Sequence, residues 1–203
     1  QPGYFAPAGS TKCLPCPFNT VAPVPGSPAC TDCGDGFTTK QTASTACTRC
    51  EVGTFRSKEL QCIGCPDLKT TAFQGAAFAE ECVCPAGQYL AADILGDDQE
   101  AQEVGNCTDC GEGLDCGLGS DLRIYRSYLT GAQLAPEDQL FPLVRKGYFA
   151  QRERPTDVYK CGHIAHCPGG LPGVCAEGRI GIPCGRCEAG TKFAQGVCAP
   201  CVA

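Results

Sequence analysis

The cysteines are the residues with most chemistry to offer. Of 203 residues 20 are Cys, in seven C-x-x-C pairs that begin at Cys13, Cys30, Cys47, Cys62, Cys107, Cys184 and Cys198 and one C-x-C pair, Cys82 and Cys84. The singles are Cys116, Cys161, Cys167 and Cys175. Two C-x-x-C pairs flanking a loop have the spacing of a zinc ribbon, in which four thiolates surround one ion. A thiol–disulfide oxidoreductase instead carries one C-x-x-C opening a helix in a βαβ setting, a pattern that surrounds no pair here. Disulfides are the better reading, because metal sites leave few cysteines over whereas the four singles suit loop closures. An oxidising, extracellular setting follows.

Other candidates are sparser. Asp93, Asp97, Asp98, Glu100 and Glu103 put five acids in a short stretch, enough oxygen for a weak extracellular Ca²⁺ site, though the EF-hand order is absent and a solvated acidic loop is the plainer reading. His163 and His166 share the loop CGHIAHC, but no third ligand is ordered beside them. Asn106-Cys107-Thr108 is an N-glycosylation acceptor with Cys in its middle position. No phosphate-binding Gly loop or nucleophile elbow occurs, and the two His stand in one strapped loop, so no enzyme is expected. The net charge is −6, and residues 70–122 hold eleven acids and no Lys or Arg. A basic group follows: Arg123, Arg126, Arg145, Lys146, Arg152 and Arg154. Such a chain suits protein partners, self-assembly of the acidic 70–122 face on the basic 123–160 face included, and not nucleic acid. No run of about 18 apolar residues is present, so no membrane span is expected within these residues.

The elements that must position the cysteines are short. From Cys13 to Cys30 to Cys47 is 17 residues twice, then 15 to Cys62 and 20 to Cys82, so the first 84 residues read as about four copies of one unit. In each copy a Cys is followed by Gly or Asn near an aromatic, then a polar or Pro/Gly tip, then the next pair. Such a unit has room for two short strands and a turn, and must lean on its neighbours and on a bridge. With 26 Gly, 16 Pro, no Trp and no Met, a single large core is not expected. The lack of Met also predicts that residue 1 follows a cleaved leader or lies inside a longer chain.

Spacing alone leaves two pairings open. Joining nearest cysteines across the longer gaps gives Cys16 with Cys30, Cys33 with Cys47, Cys50 with Cys62, Cys65 with Cys82, Cys84 with Cys107, Cys110 with Cys116, Cys161 with Cys167, Cys175 with Cys184 and Cys187 with Cys198. Cys13 and Cys201 then bond beyond the two ends. Crossing adjacent pairs, Cys13 with Cys30 and Cys16 with Cys33, keeps every cysteine internal. Residues 117–160 lack Cys, and Leu122, Ile124, Tyr128, Leu129, Leu134, Leu140, Phe141, Leu143 and Val144 make the expected small core there. DLRIY alternates like a half-buried strand, and Pro136 and Pro142 argue against a long helix. Phe37, Phe55, Tyr89 and Phe193 are expected to stack between rungs.

These segments resemble the ephrin-receptor-like cysteine-rich repeats, of GCC2 and GCC3 type, related in style to EGF-like and tumour necrosis factor receptor ectodomains. In the second half, CPAGQYL, CTDCGEGLDCGLGSDL, FPLVRKGYFAQ, DVYKCGHIAHCPGG and CAEGRIGIPCGRCEAGTKF are similar to a composite ectodomain module of large algal, ciliate and other protist surface proteins. In that family the step at Gly147, Tyr148 and Phe149 usually carries Trp and Arg, where this chain has Phe and Ala. The resemblance implies a small disulfide-rich, mostly β or irregular fold: an elongated ladder of short β-hairpin repeats. The expected parts are a hairpin array over 1–84, an acidic cysteine-rich module over 85–122, the Cys-free segment over 123–160 and an EGF-like module over 161–203. The function expected is a non-enzymatic extracellular or cell-surface structural module, a disulfide-stapled rod in a filament, flagellar appendage or cell coat. The alternatives are the ectodomain stalk of a multi-span membrane receptor or channel, a ligand-binding module and, last, a zinc-binding module. No cofactor beyond the Ca²⁺ candidate is implied.

Overall fold

The computed structural model describes residues 1–92, 105–129, 140–194 and 196–201. It divides into two compact units, Gln1–Val83 and Cys84–Ala203. Both are built from two-stranded antiparallel sheets, ten among the described residues, each pairing neighbouring strands in the chain. In the first unit β1 (Tyr4–Phe5) pairs with β2 (Leu14–Pro15), β3 (Thr20–Val21) with β4 (Thr31–Asp32) and β5 (Phe37–Thr38) with β6 (Thr48–Arg49). There β7 (Thr54–Arg56) also pairs with β8 (Cys62–Gly64), and β9 (Thr70–Thr71) with β10 (Cys82–Val83). In the second, β11 (Gln88–Leu90) pairs with β12 (Cys107–Asp109), β13 (Leu114–Asp115) with β14 (Leu143–Val144) and β15 (Tyr148–Gln151) with β16 (Arg154–Lys160). Last come β17 (Arg179–Ile180) with β18 (Arg186–Cys187), and β19 (Thr191–Ala194) with β20 (Val197–Pro200). The fold is thus a cysteine-rich repeat ladder of hairpins. Hairpins of this size do not stand alone in water, so closure has to come from elsewhere.

It comes from a repeated backbone bond. The amide of the second Cys of a pair donates to the carbonyl of the Gly or Asn that opened the hairpin: Cys16 to Gly3, Cys33 to Asn19, Cys50 to Gly36, Cys65 to Gly53, Cys110 to Gly87 and Cys201 to Gly190, each at 2.9 Å. Those opening residues have positive φ, Asn19 at 64° and Gly36 at 73° among them, which is why the unit needs Gly or Asn at that point. Three residues ahead of Asn19, Gly36, Gly53 and Gly87 stands the Cys whose bridge closes the same hairpin.

Rungs come in twos. Cys16, Cys50 and Cys84 lie 34 residues apart, 16 to 50 to 84, and all are buried, whereas Cys33 and Cys65 are half-buried. Their carbonyls accept from the amides of Ala43, Gly75 and Gly119, each at 2.8 Å. The next residue in each case, Ser44, Ala76 or Ser120, accepts in turn from Ala22, Arg56 or Leu90. A short tail therefore returns after every second hairpin and caps the pair. Buried threonines complete it in the first unit: Thr39 Oγ1 accepts from the Asn19 amide at 2.9 Å, and Thr71 Oγ1 from the Gly53 amide at 3.0 Å.

The apolar cores are small and sit in the second unit. One holds Leu114, Cys116, Val144 and Ala150, a second Phe149, Cys161, Cys167 and Cys184, and a third Leu122, Tyr125 and Phe141. The third lies where the Cys-free stretch predicts a core, with Ile124, Tyr128, Leu129 and Leu143 against it. Leu140 is exposed, Val144 belongs to the first cluster, and Leu134 and Pro136 lie outside the described residues. The strand expected over DLRIY is instead part of an α-helix, α1 (Leu122–Leu129). Asp121 Oδ1 accepts from the Arg123 amide at 2.7 Å and so opens the helix, and Leu122 and Tyr125 then share its buried face.

Candidate functional site

Nine disulfides are present, and they are those of the nearest-neighbour arrangement: Cys16–Cys30, Cys33–Cys47, Cys50–Cys62, Cys65–Cys82, Cys84–Cys107, Cys110–Cys116, Cys161–Cys167, Cys175–Cys184 and Cys187–Cys198. No bridge crosses another pair. Cys13 and Cys201, counted above among the bridging cysteines, are unbridged and exposed in the described structure. Cys13 precedes β2 as Cys30 precedes β4, and Cys201 holds in its hairpin the place that Cys33 holds in the Asn19 hairpin. With the other sulfurs in bridges, no group of three His, Cys, Asp or Glu among the described residues is arranged to hold a metal. The zinc spacing is used for hairpin closure instead.

The acidic Ca²⁺ candidates Asp93, Asp97, Asp98, Glu100 and Glu103 lie outside the described residues. Of the basic group, Arg123 is engaged within its own turn. Its Nη2 sits 2.7 Å from Asp121 Oδ2, a hydrogen bond that raises the guanidinium pKa. Arg154 lies 3.7 Å from Asp157, an exposed pair worth little. Arg145, Lys146 and Arg152 are exposed, and Arg126 is half-buried on α1.

His163 and His166 do come together, with ring centroids 5.3 Å apart. His163 Nδ1 accepts from the Ala165 amide at 3.2 Å, which caps the turn Ile164–His166. The His166 pKa is lowered by partial burial and by the positive charges of Arg179 and His163. Asn106 is exposed immediately before β12. At the glycine-aromatic step Phe149 packs among bridged cysteines, while Tyr148 covers Gly113 and its hydroxyl donates to the Glu112 carboxylate.

Three of the aromatics expected to stack between rungs meet these partners. Phe37 is covered by Arg49, whose guanidinium carbon is 5.6 Å from the ring centroid, and Phe193 by Arg179 at 5.3 Å. Tyr89 packs instead against two of the core clusters. A short strand offers one aromatic per rung, and a long arginine from the partner strand, Arg49, or from the preceding hairpin, Arg179, reaches it. Arg49 is the cross-strand partner of Phe37 within one hairpin and Arg179 belongs to the hairpin before Phe193, but in the sequence each is one charge among many.

Bridged hairpins without a large core define a cysteine-rich repeat module of extracellular type, and the likeness to known proteins is of that kind. Residues 3–46 match the family described as tyrosine-protein kinase ephrin type A/B receptor-like. The chain is 33% identical over 106 residues to "Signal peptide, CUB and EGF-like domain-containing protein 2" of Danio rerio, covering 40% of this chain and 10% of that protein. It is 28% identical over 172 residues to "Cysteine repeat modular protein A" of Toxoplasma gondii, covering 75% of this chain and 5% of that protein. The chain thus spans a small fraction of the length of both relatives.

Proposed function

We propose that the chain is a non-enzymatic structural segment of an extracellular assembly, such as a filament, flagellar appendage or cell coat. The observation that carries this reading is the locality of the bridges. Each closes a loop of 6 to 23 residues, so each bridged hairpin is locked on its own and a cleavage or strain in one need not unravel its neighbours. Contact between copies is assigned to the acidic band over 70–122 and the exposed cations Arg145, Lys146 and Arg152. The described part of that band includes the exposed carboxylates Asp109, Glu112 and Asp115. Sedimentation of the oxidised chain tests this. Association is expected at about 50 mM NaCl and its loss at about 0.5 M, where the screening length falls to a few ångströms. A monomer at low salt, or an assembly indifferent to salt, overturns it. Asn106, exposed beside bridged Cys107, is the proposed glycan acceptor, and a mass loss on glycosidase treatment of material from the native source checks it.

A further inference from the structure

In the second unit the turn Ile164–His166, the β17–β18 hairpin and β19 enclose a groove of about 450 Å³. Its lining includes His166, Arg179, Arg186, Lys192, Thr191 and Phe193, and no carboxylate residue. In a chain of net charge −6 this is a local reversal of sign. Arg179 is the unusual member. It is 7% exposed, its Nη2 donates to the Gly196 carbonyl at 3.2 Å, and among the described residues no carboxylate lies within ion-pair distance. Burying a guanidinium without a counter-charge is costly unless an anion completes it. The ring of Phe193 holds that guanidinium in place while remaining 63% exposed itself. A second groove shares Arg179 but also includes Glu177, Glu188 and Glu153, so it offers no comparable field.

We infer that the groove formed by Arg179, Arg186, Lys192 and Phe193 binds sulfate esters of an extracellular glycan. A fixed guanidinium presents paired N–H donors to a tetrahedral oxyanion, and two exposed cations extend the contact to a second sulfate. The open part of the Phe193 ring provides an apolar platform for the C–H face of a sugar. An acidic peptide would use the cations but not that platform. The inference goes beyond the structural role proposed above and does not depend on self-association.

The test is titration calorimetry on the oxidised chain at about 50 mM NaCl. The probes are a heparin-derived tetrasaccharide, the same tetrasaccharide desulfated, sodium sulfate and a tetraglutamate peptide. The sulfated tetrasaccharide is expected to bind, and the others at least about tenfold more weakly. The double variant Arg186→Ala/Lys192→Ala, at two exposed positions, is expected to weaken that binding by about tenfold or more. The control Lys12→Ala/Lys40→Ala, at two exposed positions of the first unit, is expected to leave it within about twofold. No binding, equal binding of the desulfated sugar, of free sulfate or of tetraglutamate, or equal loss in both double variants would each overturn the assignment. Unchanged circular dichroism and thiol count establish that the variants are folded.

Discussion

Arg56 shows how one side chain ties rungs together where no core can. It lies on β7, is almost fully buried, and its Nη1 donates to the carbonyl of Gly34 on the preceding rung. Asp32 and Asp35 lie 3.7 and 3.8 Å from its guanidinium but are largely exposed, so their charges are screened and the carbonyl bond dominates. Arg56→Ala is therefore expected to lower stability by about 2 kcal/mol in thermal or denaturant unfolding. Arg56→Lys should not restore it, because an ammonium lacks the planar fork. Asp32→Asn should cost less than about 0.5 kcal/mol, and a larger loss there would assign the effect to the ion pair. Tyr125 makes a second residue-scale case. Its ring is buried, its hydroxyl donates to the Arg152 carbonyl at 2.8 Å, and burial pushes its pKa up to about 12. The unfolded chain loses that proton at its ordinary pKa near 10 and the folded chain does so only near 12. The contribution of Tyr125 is thus fully present below pH 10 and falls by about 1.4 kcal/mol per pH unit from there to about 12. Unfolding of the wild type and of Tyr125→Phe, with free thiols first alkylated, should show a shallower decline in the variant. Parallel curves would remove Tyr125 as the cause.

At the scale of elements, glycines set how closely rungs approach. A Cβ on Gly36, at φ 73°, would stand 1.9 Å from the Gly75 carbonyl oxygen, the tail that caps the pair of hairpins. Gly26 has a similar φ of 79° but open space around it. Gly36→Ala should then cost at least about 2 kcal/mol and Gly26→Ala about 1 kcal/mol, read as the difference in denaturant midpoint. Equal losses would mean that conformation alone, and not the contact with the tail, fixes the glycine. Much of this element was legible. The interval of 17 residues marked the hairpins, and the Gly or Asn after each Cys marked their left-handed opening. The doubled period was missed, although Cys16, Cys50 and Cys84 keep a spacing of 34 and small residues recur at Ala43-Ser44, Gly75-Ala76 and Gly119-Ser120. Those small pairs carry no side-chain signal because their work is done by backbone amides and carbonyls. The helix was misread for a related reason. Five residues of DLRIY alternate as a strand does, and only the longer series Leu122, Tyr125 and Leu129 shows the helical period. Nor was the cationic groove legible, since Arg179 and Arg186 meet across one hairpin and Lys192 joins them from the next.

For the whole chain, covalent structure is what separates one architecture from another. Nine bridges are accommodated without any passing between residues 1–83 and residues 84–203, since Cys82 pairs back to Cys65 and Cys84 pairs forward to Cys107. Each unit therefore carries its own stabilisation, four bridges in the first and five in the second. A bridge closing a loop of about 15 residues removes roughly 3 kcal/mol of unfolded-chain entropy, and such small hairpins have little else of that size to replace it. Two consequences follow for the separated pieces. Expressed alone under oxidising conditions, residues 1–83 and residues 84–203 should each fold with their full sets of bridges, and each should unfold on reduction at temperatures where the oxidised form survives. Alkylation before reduction should mark Cys13 alone in the first piece and Cys201 alone in the second, because these two are the exposed thiols. Peptide mapping decides the matter. Both pieces hold an odd number of cysteines, so one free thiol in each is compelled by arithmetic, and only its identity discriminates. A Cys13–Cys30 linked peptide would establish the crossed pairing, break the closure of the Asn19 hairpin by Cys16, and with it the rung-by-rung locking on which the structural role rests.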